Sequence, residues 1–71
     1  MSDLDARLLA AHAAQDRLAL IELYEAAAQA ANDDTARGFY LTHAYVFALE
    51  AGDPRAENLR AELVNMGREP A

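Results

Sequence analysis

Residues 40–56 read YLTHAYVFALEAGDPRA. From Phe39 to Leu49 almost every side of a helix built on this stretch is apolar, and then the run stops at Gly52-Asp53-Pro54. Each residue of that stop has a physical role. Glycine accepts the left-handed geometry that ends helices, aspartate caps the next N-terminus, and proline suits a first helical position. The stretch therefore predicts one helix ending at 51 and another starting at 54. A helix that is apolar all round is buried on several sides, so the rest of the chain is expected to pack around it.

Working outward, the second of these helices covers about 54–66. Ala56, Leu59, Leu63 and Met66 make one stripe, with Arg55, Glu57, Asn58, Arg60 and Glu62 outside it. Gly67 is a plausible stop, and residues 68–71 read as a tail. Upstream, the apolar helix extends back to about 35. Gly38 in its early turns costs about 1 kcal/mol against alanine, which points to a close crossing or a late start. Asn32-Asp33-Asp34 is a turn: Asn32 tolerates the left-handed geometry, and Asp33 or Asp34 can cap the helix that follows. Before it, residues 17–31 form a helix carrying Leu18, Leu20, Ile21, Leu23 and Tyr24, then only alanines on its apolar side. The first helix covers about 3–13, with Leu4, Leu8 and Ala11 on one stripe and Ser2 and Asp5 as an aspartate form of the capping box. Its stripe loses phase beyond Ala14, beside Asp16, a good N-cap, so a break is expected there; one continuous kinked helix is the alternative. The fold expected is all-α, with four helices in a single domain over 1–71.

Composition narrows the chemistry. The chain has 71 residues, a net charge of −6 and no cysteine, which excludes disulfides and thiolate metal sites. The charge repels phosphate backbones and anionic lipid, so no nucleic acid and no membrane is expected as a partner. The longest uncharged run, Gly38 to Leu49, is far short of the ~20 residues that span a bilayer. The N-terminus Met-Ser-Asp-Leu-Asp lacks the basic and apolar regions of a signal peptide, so a cytoplasmic protein is expected. All six basic residues are arginine, which excludes Schiff-base chemistry and a pyridoxal cofactor. Hydroxyl nucleophiles are limited to Ser2, Thr35, Thr42 and the tyrosines. Eighteen alanines, with arginine and no lysine, suggest a GC-rich bacterial genome.

An internal likeness links AQDRLALIEL from Ala14 with AGDPRAENLRAEL from Ala51. Asp16 matches Asp53, Arg17 matches Arg55 and Ile21 matches Leu59, with Pro54 as an insertion. The offset of 37 residues lies in the range of helix-pair repeats. Leu20, Leu23, Ala36 and Tyr40 fall where the tetratricopeptide repeat family has its Trp, Leu, Ala and Phe/Tyr positions. On those residues the chain resembles a tetratricopeptide-type (TPR-like) helix-pair array over Leu18 to Leu63. Tyr24 and Ala27 stand where that family places glycine and tyrosine, and His43 where it usually places alanine. A small orthogonal bundle is the alternative architecture. The resemblance implies an interaction module without catalysis. Stacked helix pairs need about three repeats to bury a continuous core, and this chain has about one and a half, so completion by a second copy or another protein is expected.

The side chains support the same expectation. Phe39, Tyr40, Tyr45 and Phe47 form an aromatic cluster pointing to two sides of one helix. One side can be core; the other is expected to be an interface, with Arg37, Arg17 or Glu50 at its rim. His43 shares a face with Tyr40 and Glu50 and could serve a small-ligand site with them; the plainer reading is a histidine bonded to a carbonyl or a tyrosine hydroxyl. His12 and His43 are not spaced as a metal pair, so no metal and no cofactor is expected, and His12 reads as a helix-end residue. Glu22 and Glu25 read as a solvated face, pairing with Arg17 or with another helix. The function expected is a non-catalytic protein–protein interaction module or accessory subunit, a homodimer among the partner choices. A ligand- or metal-binding regulator using His43 and the tyrosines is the alternative, and no enzyme activity is expected.

Overall fold

Four helices follow one another with short breaks: α1 (Asp3–Ala14), α2 (Arg17–Ala30), α3 (Asp34–Ala51) and α4 (Arg55–Asn65). The computed structural model describes residues 3–68, and among them there is no strand. The fold is all-α. Ser2 of the expected capping box and residues 69–71 of the expected tail lie outside the described residues.

The local chemistry explains each break. α1 and α2 are separate helices, because Asp16 is extended and its carboxylate accepts the Ala19 amide at 3.2 Å. Asp33 does the same for α3, accepting the Ala36 amide at 2.7 Å, which lets Asp34 become the first helical residue. At Gly52 the chain turns left-handed with φ 64, and the Asp53 amide reaches back to the Ala48 carbonyl at 2.9 Å. Helix α4 starts at Arg55 rather than Pro54. Pro54 occupies the cap position, and the Asp53 carboxylate accepts the Arg55 amide at 2.8 Å from one residue further back.

Two expectations about turns are corrected. α2 ends at Ala31 in an extended conformation, so Asn32 supplies no left-handed stop. The left-handed non-glycine residue among those described is Gln15, at φ 53. Gly38 is neither a late start nor a helix crossing. It lies inside α3, and a Cβ there would sit 3.0 Å from the Arg68 guanidinium. Arg68, expected in the tail, folds back and donates to the Asp34 carbonyl at 3.2 Å.

Close backbone approach among the described residues is confined to helices adjacent in sequence: α1 with α2, α2 with α3, α3 with α4. The result is a slab of 33 × 29 × 12 Å. Its main core joins Ile21 and Ala28 of α2, Leu41, Ala44 and Ala48 of α3, and Leu59 and Leu63 of α4. Alanines at 44 and 48 are fully buried and let α2 and α4 close onto α3. A second, smaller cluster joins Ala11 to Leu20 and Leu23, with Leu4 and Leu8 packed on it. No polar side chain is buried among the described residues.

Candidate functional site

Tyr40, His43 and Phe47 of α3 gather around Tyr24 of α2. Tyr24, half-buried on α2, stacks on His43 at 5.0 Å between ring centres and on Phe47 at 5.9 Å, and it lies 6.3 Å from Tyr40. Its hydroxyl meets the Nε2 of His12 at 2.8 Å, so the ring is gripped from α1 as well. His12 also stands edge-on to Phe47 at 5.9 Å. Burial, and then the neighbouring Tyr40, raise the pKa of Tyr24 above the ordinary phenol value.

His43 is half-buried, and its Nδ1 lies 2.9 Å from the Phe39 carbonyl. A carbonyl oxygen can only accept, so Nδ1 donates here and the neutral ring keeps an accepting Nε2. The expected trio of His43, Tyr40 and Glu50 is not drawn together. Glu50 turns to α2 and accepts from Arg17 Nε at 3.3 Å. Near that pair, His12, Gln15, Leu20 and Phe47 complete the lining of an open cleft of about 330 Å³. Among the described residues, no group of three or more His, Asp or Glu side chains is placed to hold a metal ion.

A charged network lies between α2 and the start of α4. Arg55 holds Asp53 through two side-chain hydrogen bonds of 3.0 and 2.9 Å and lies 3.7 and 3.9 Å from Glu22 and Glu25. The Arg55 side-chain bonds, then its backbone amide, hold Asp53 down at a pKa of about 2. Burial raises Glu25, with Arg55 opposing. The partner of Glu22 and Glu25 is thus Arg55 of another helix, not Arg17, which pairs with Glu50.

Of the four aromatics expected at an interface, Phe39 is 57% exposed, whereas Tyr40, Tyr45 and Phe47 are half-buried and pack on the core. Two residues not singled out from the sequence join Phe39 on the open side of α3: Val46 at 44% and Leu49 at 55% exposure. Thr42 lies between them, its hydroxyl donating to the Gly38 carbonyl at 2.8 Å. The spacing 39, 42, 46, 49 was present in the sequence. It was masked because α3 is apolar on nearly every side, so no single stripe stood out from the others. Leu9 is exposed on α1 and Leu18 on α2.

No family model, curated protein or solved structure matches this chain.

Proposed function

We propose that the chain is a small non-catalytic interaction module or accessory subunit that works by burying the open face of α3 against another protein surface. One observation carries this reading. Phe39, Val46 and Leu49 are each about half exposed along a single helix face. An exposed apolar row of this kind gains roughly 25 cal/mol per Å² when it is removed from water, and a partner surface is the usual way. A single layer in which consecutive helices approach closely, with side chains of α2 and α4 also meeting at Ile21, Leu59 and Leu63, supports an open helix-pair array of the tetratricopeptide kind.

The alternative is a small-ligand or metal-binding regulator built on His43, Tyr40 and Glu50. It receives less support, because Glu50 is engaged by Arg17 and His43 by the Phe39 carbonyl.

The test compares the natural chain with a Phe39→Ser, Leu49→Ser double variant. The natural chain is expected to bind an apolar fluorescent dye, and to carry a second polypeptide when native mass spectrometry is run on material from its own host. The variant should keep its helical circular dichroism and lose both. A natural chain that binds no dye and travels alone at 7.7 kDa overturns the reading.

A further inference from the structure

Between α1 and α2 the chain bends at Gln15, a residue with a side chain in the left-handed region at φ 53. The run around it, Ala13-Ala14-Gln15-Asp16-Arg17-Leu18-Ala19, contains no glycine and no proline. Apart from Asp16 these residues are strong helix formers. The bend is therefore held against local preference. It leaves the Arg17 and Leu18 amides, the first two of α2, without a carbonyl inside the helix. The Asp16 carboxylate takes the next amide, Ala19, at 3.2 Å. With Gln15 and Asp16 helical, the carbonyls of Ala13, Ala14 and Gln15 would accept from Arg17, Leu18 and Ala19, and one unbroken ladder would run from α1 into α2.

What opposes this straightening is modest. Ala11 is the buried residue of α1, while Leu4 and Leu8 are half-buried against Leu20 and Leu23. His12 meets the Tyr24 hydroxyl at 2.8 Å and stands edge-on to Phe47. The Asp16 cap and the two amide bonds behind Gln15 complete the docked arrangement. The straight form also accounts for Leu18, which is 55% exposed beside the bend. On a continuous helix Leu18 falls within roughly 80° of arc with Leu4, Leu8 and Ala11, interrupted by Gln15. Two arrangements of one segment, each satisfied in a different way, make a hinge. We infer that residues 14–17 are that hinge, and that α1 exchanges between its docked position and one continuous helix with α2 over residues 3–30. Docked, α1 covers Leu20, Leu23 and the edge of Phe47. Straight, it uncovers them and brings Leu18 into line with its own leucines. The chain thus carries a built-in cover whose position sets how much apolar surface it offers. The exchange needs no partner, so its failure leaves the reading of the open face of α3 untouched.

Double electron–electron resonance tests the exchange. The chain has no cysteine, so Leu9→Cys and Gln29→Cys, both at exposed positions, carry the two spin labels. A continuous helix puts these positions roughly 30 Å apart at 1.5 Å per residue. Docked α1 runs back along α2, where Arg7 shares a cleft with Leu23 and Ala26, and holds them much closer. The labelled chain should give mainly the short distance. Asp16→Ala removes the cap and supplies a helix former; Tyr24→Phe removes the bond to His12. Together they should raise the long component by about tenfold, with helical circular dichroism retained and helical Cα chemical shifts at residues 15 and 16. Adding Gln15→Gly relaxes the left-handed position and weakens the straight helix, and should abolish the long component. A short distance alone in the Asp16→Ala, Tyr24→Phe chain overturns the inference. So does a long component that comes with lost helical signal or random-coil shifts at residues 13–17, because α1 is then unfolding and not straightening. A long component that survives Gln15→Gly overturns it as well, since the bend would then turn on another residue.

Discussion

Gln15 closes α1 at φ 53, the geometry that Gly52 and Gly67 take at φ 64 and φ 74 after α3 and α4. All three ends make the same pair of bonds. Behind Gln15 they run from its amide to His12 and from the Asp16 amide to Ala11, at 3.1 and 3.0 Å. This is the Schellman arrangement, with a side chain where glycine is usual. A left-handed residue with a Cβ costs about 1 kcal/mol. Gln15→Gly should therefore stabilise the protein by about 1 kcal/mol, read as a higher urea midpoint at unchanged slope; a lower midpoint would show that the glutamine side chain contributes more than its backbone strain. Tyr24 separates polar from packing effects. Tyr24→Phe removes only the exposed 2.8 Å contact with His12 and should cost no more than about 1 kcal/mol. Tyr24→Ala removes the stacking on His43 and Phe47 and should cost about 2–3 kcal/mol. Equal losses in denaturant unfolding would assign the role of Tyr24 to its hydroxyl. Neither residue's role was legible in the sequence. The Gln15 bonds follow from where α1 breaks, and the histidine that meets a tyrosine hydroxyl is His12, twelve residues from Tyr24, while His43 takes a local carbonyl. The reason for Gly38 was hidden for the same cause: Arg68, which lies over it, is thirty residues away.

The helices and their stops were largely legible, because capping chemistry is local. Asp16, Asp33 and Gly52 each act within three or four residues of their own position. Asn32 was misread because a tolerant residue does not by itself bend the chain; the Asp33 cap follows at once, and an extended Ala31 leads directly into it. The turn between α3 and α4 has an electrostatic signature that can be measured. Hydrogen bonds from the Arg55 side chain and amide hold Asp53 at a pKa of about 2, below the ~3.9 of an unfolded aspartate. The folded state therefore favours the carboxylate. Its contribution is fully present above about pH 4 and is lost as the pH falls towards 2. Asp53→Asn keeps an oxygen for the Arg55 amide and removes the charge. The variant should unfold at lower urea than the natural chain at pH 7, with the gap closing as the pH falls from about 4 to about 2. Glu25 has the opposite sign, since burial raises its pKa, and the Asp53 charge adds to that rise, so part of the Glu25 effect also changes in the variant. A gap that stays constant across the acid range would mean that Asp53 acts through its oxygen geometry alone.

The arrangement of the whole slab could be inferred only in part. Leu59, Leu63 and Ile21 were legible as core because each sits on a stripe its own helix cannot cover. Which side of α3 would stay open was not legible. The helix is apolar nearly all round, and its fate depends on where α2 and α4 settle. They settle on Leu41, Ala44 and Ala48, which leaves Phe39, Val46 and Leu49 outside and takes Tyr40, Tyr45 and Phe47 partly in. The same arrangement makes stability uneven. α2, α3 and α4 share one core, whereas α1 brings its backbone close to α2 alone, touches α3 through His12 against Phe47, and rests on a second cluster of Ala11, Leu20 and Leu23. A helix held mainly by one neighbour, with Leu9 at 72% exposure, loses little buried apolar surface when it lifts away. Local openings of this kind occur well below the free energy of global unfolding. Native-state hydrogen exchange should therefore find the slowest amides on the inner turns of α2 and α3, around Ile21–Ala28 and Leu41–Ala48. Amides of α1 should exchange at least tenfold faster, which corresponds to an opening easier by about 1.4 kcal/mol. The His12 contact with Tyr24 is the polar tie that opposes this lifting, so Tyr24→Phe should accelerate exchange in α1 and leave α3 unchanged. Protection in α1 equal to that in α2 and α3 would show that the two clusters open together, as a single cooperative core.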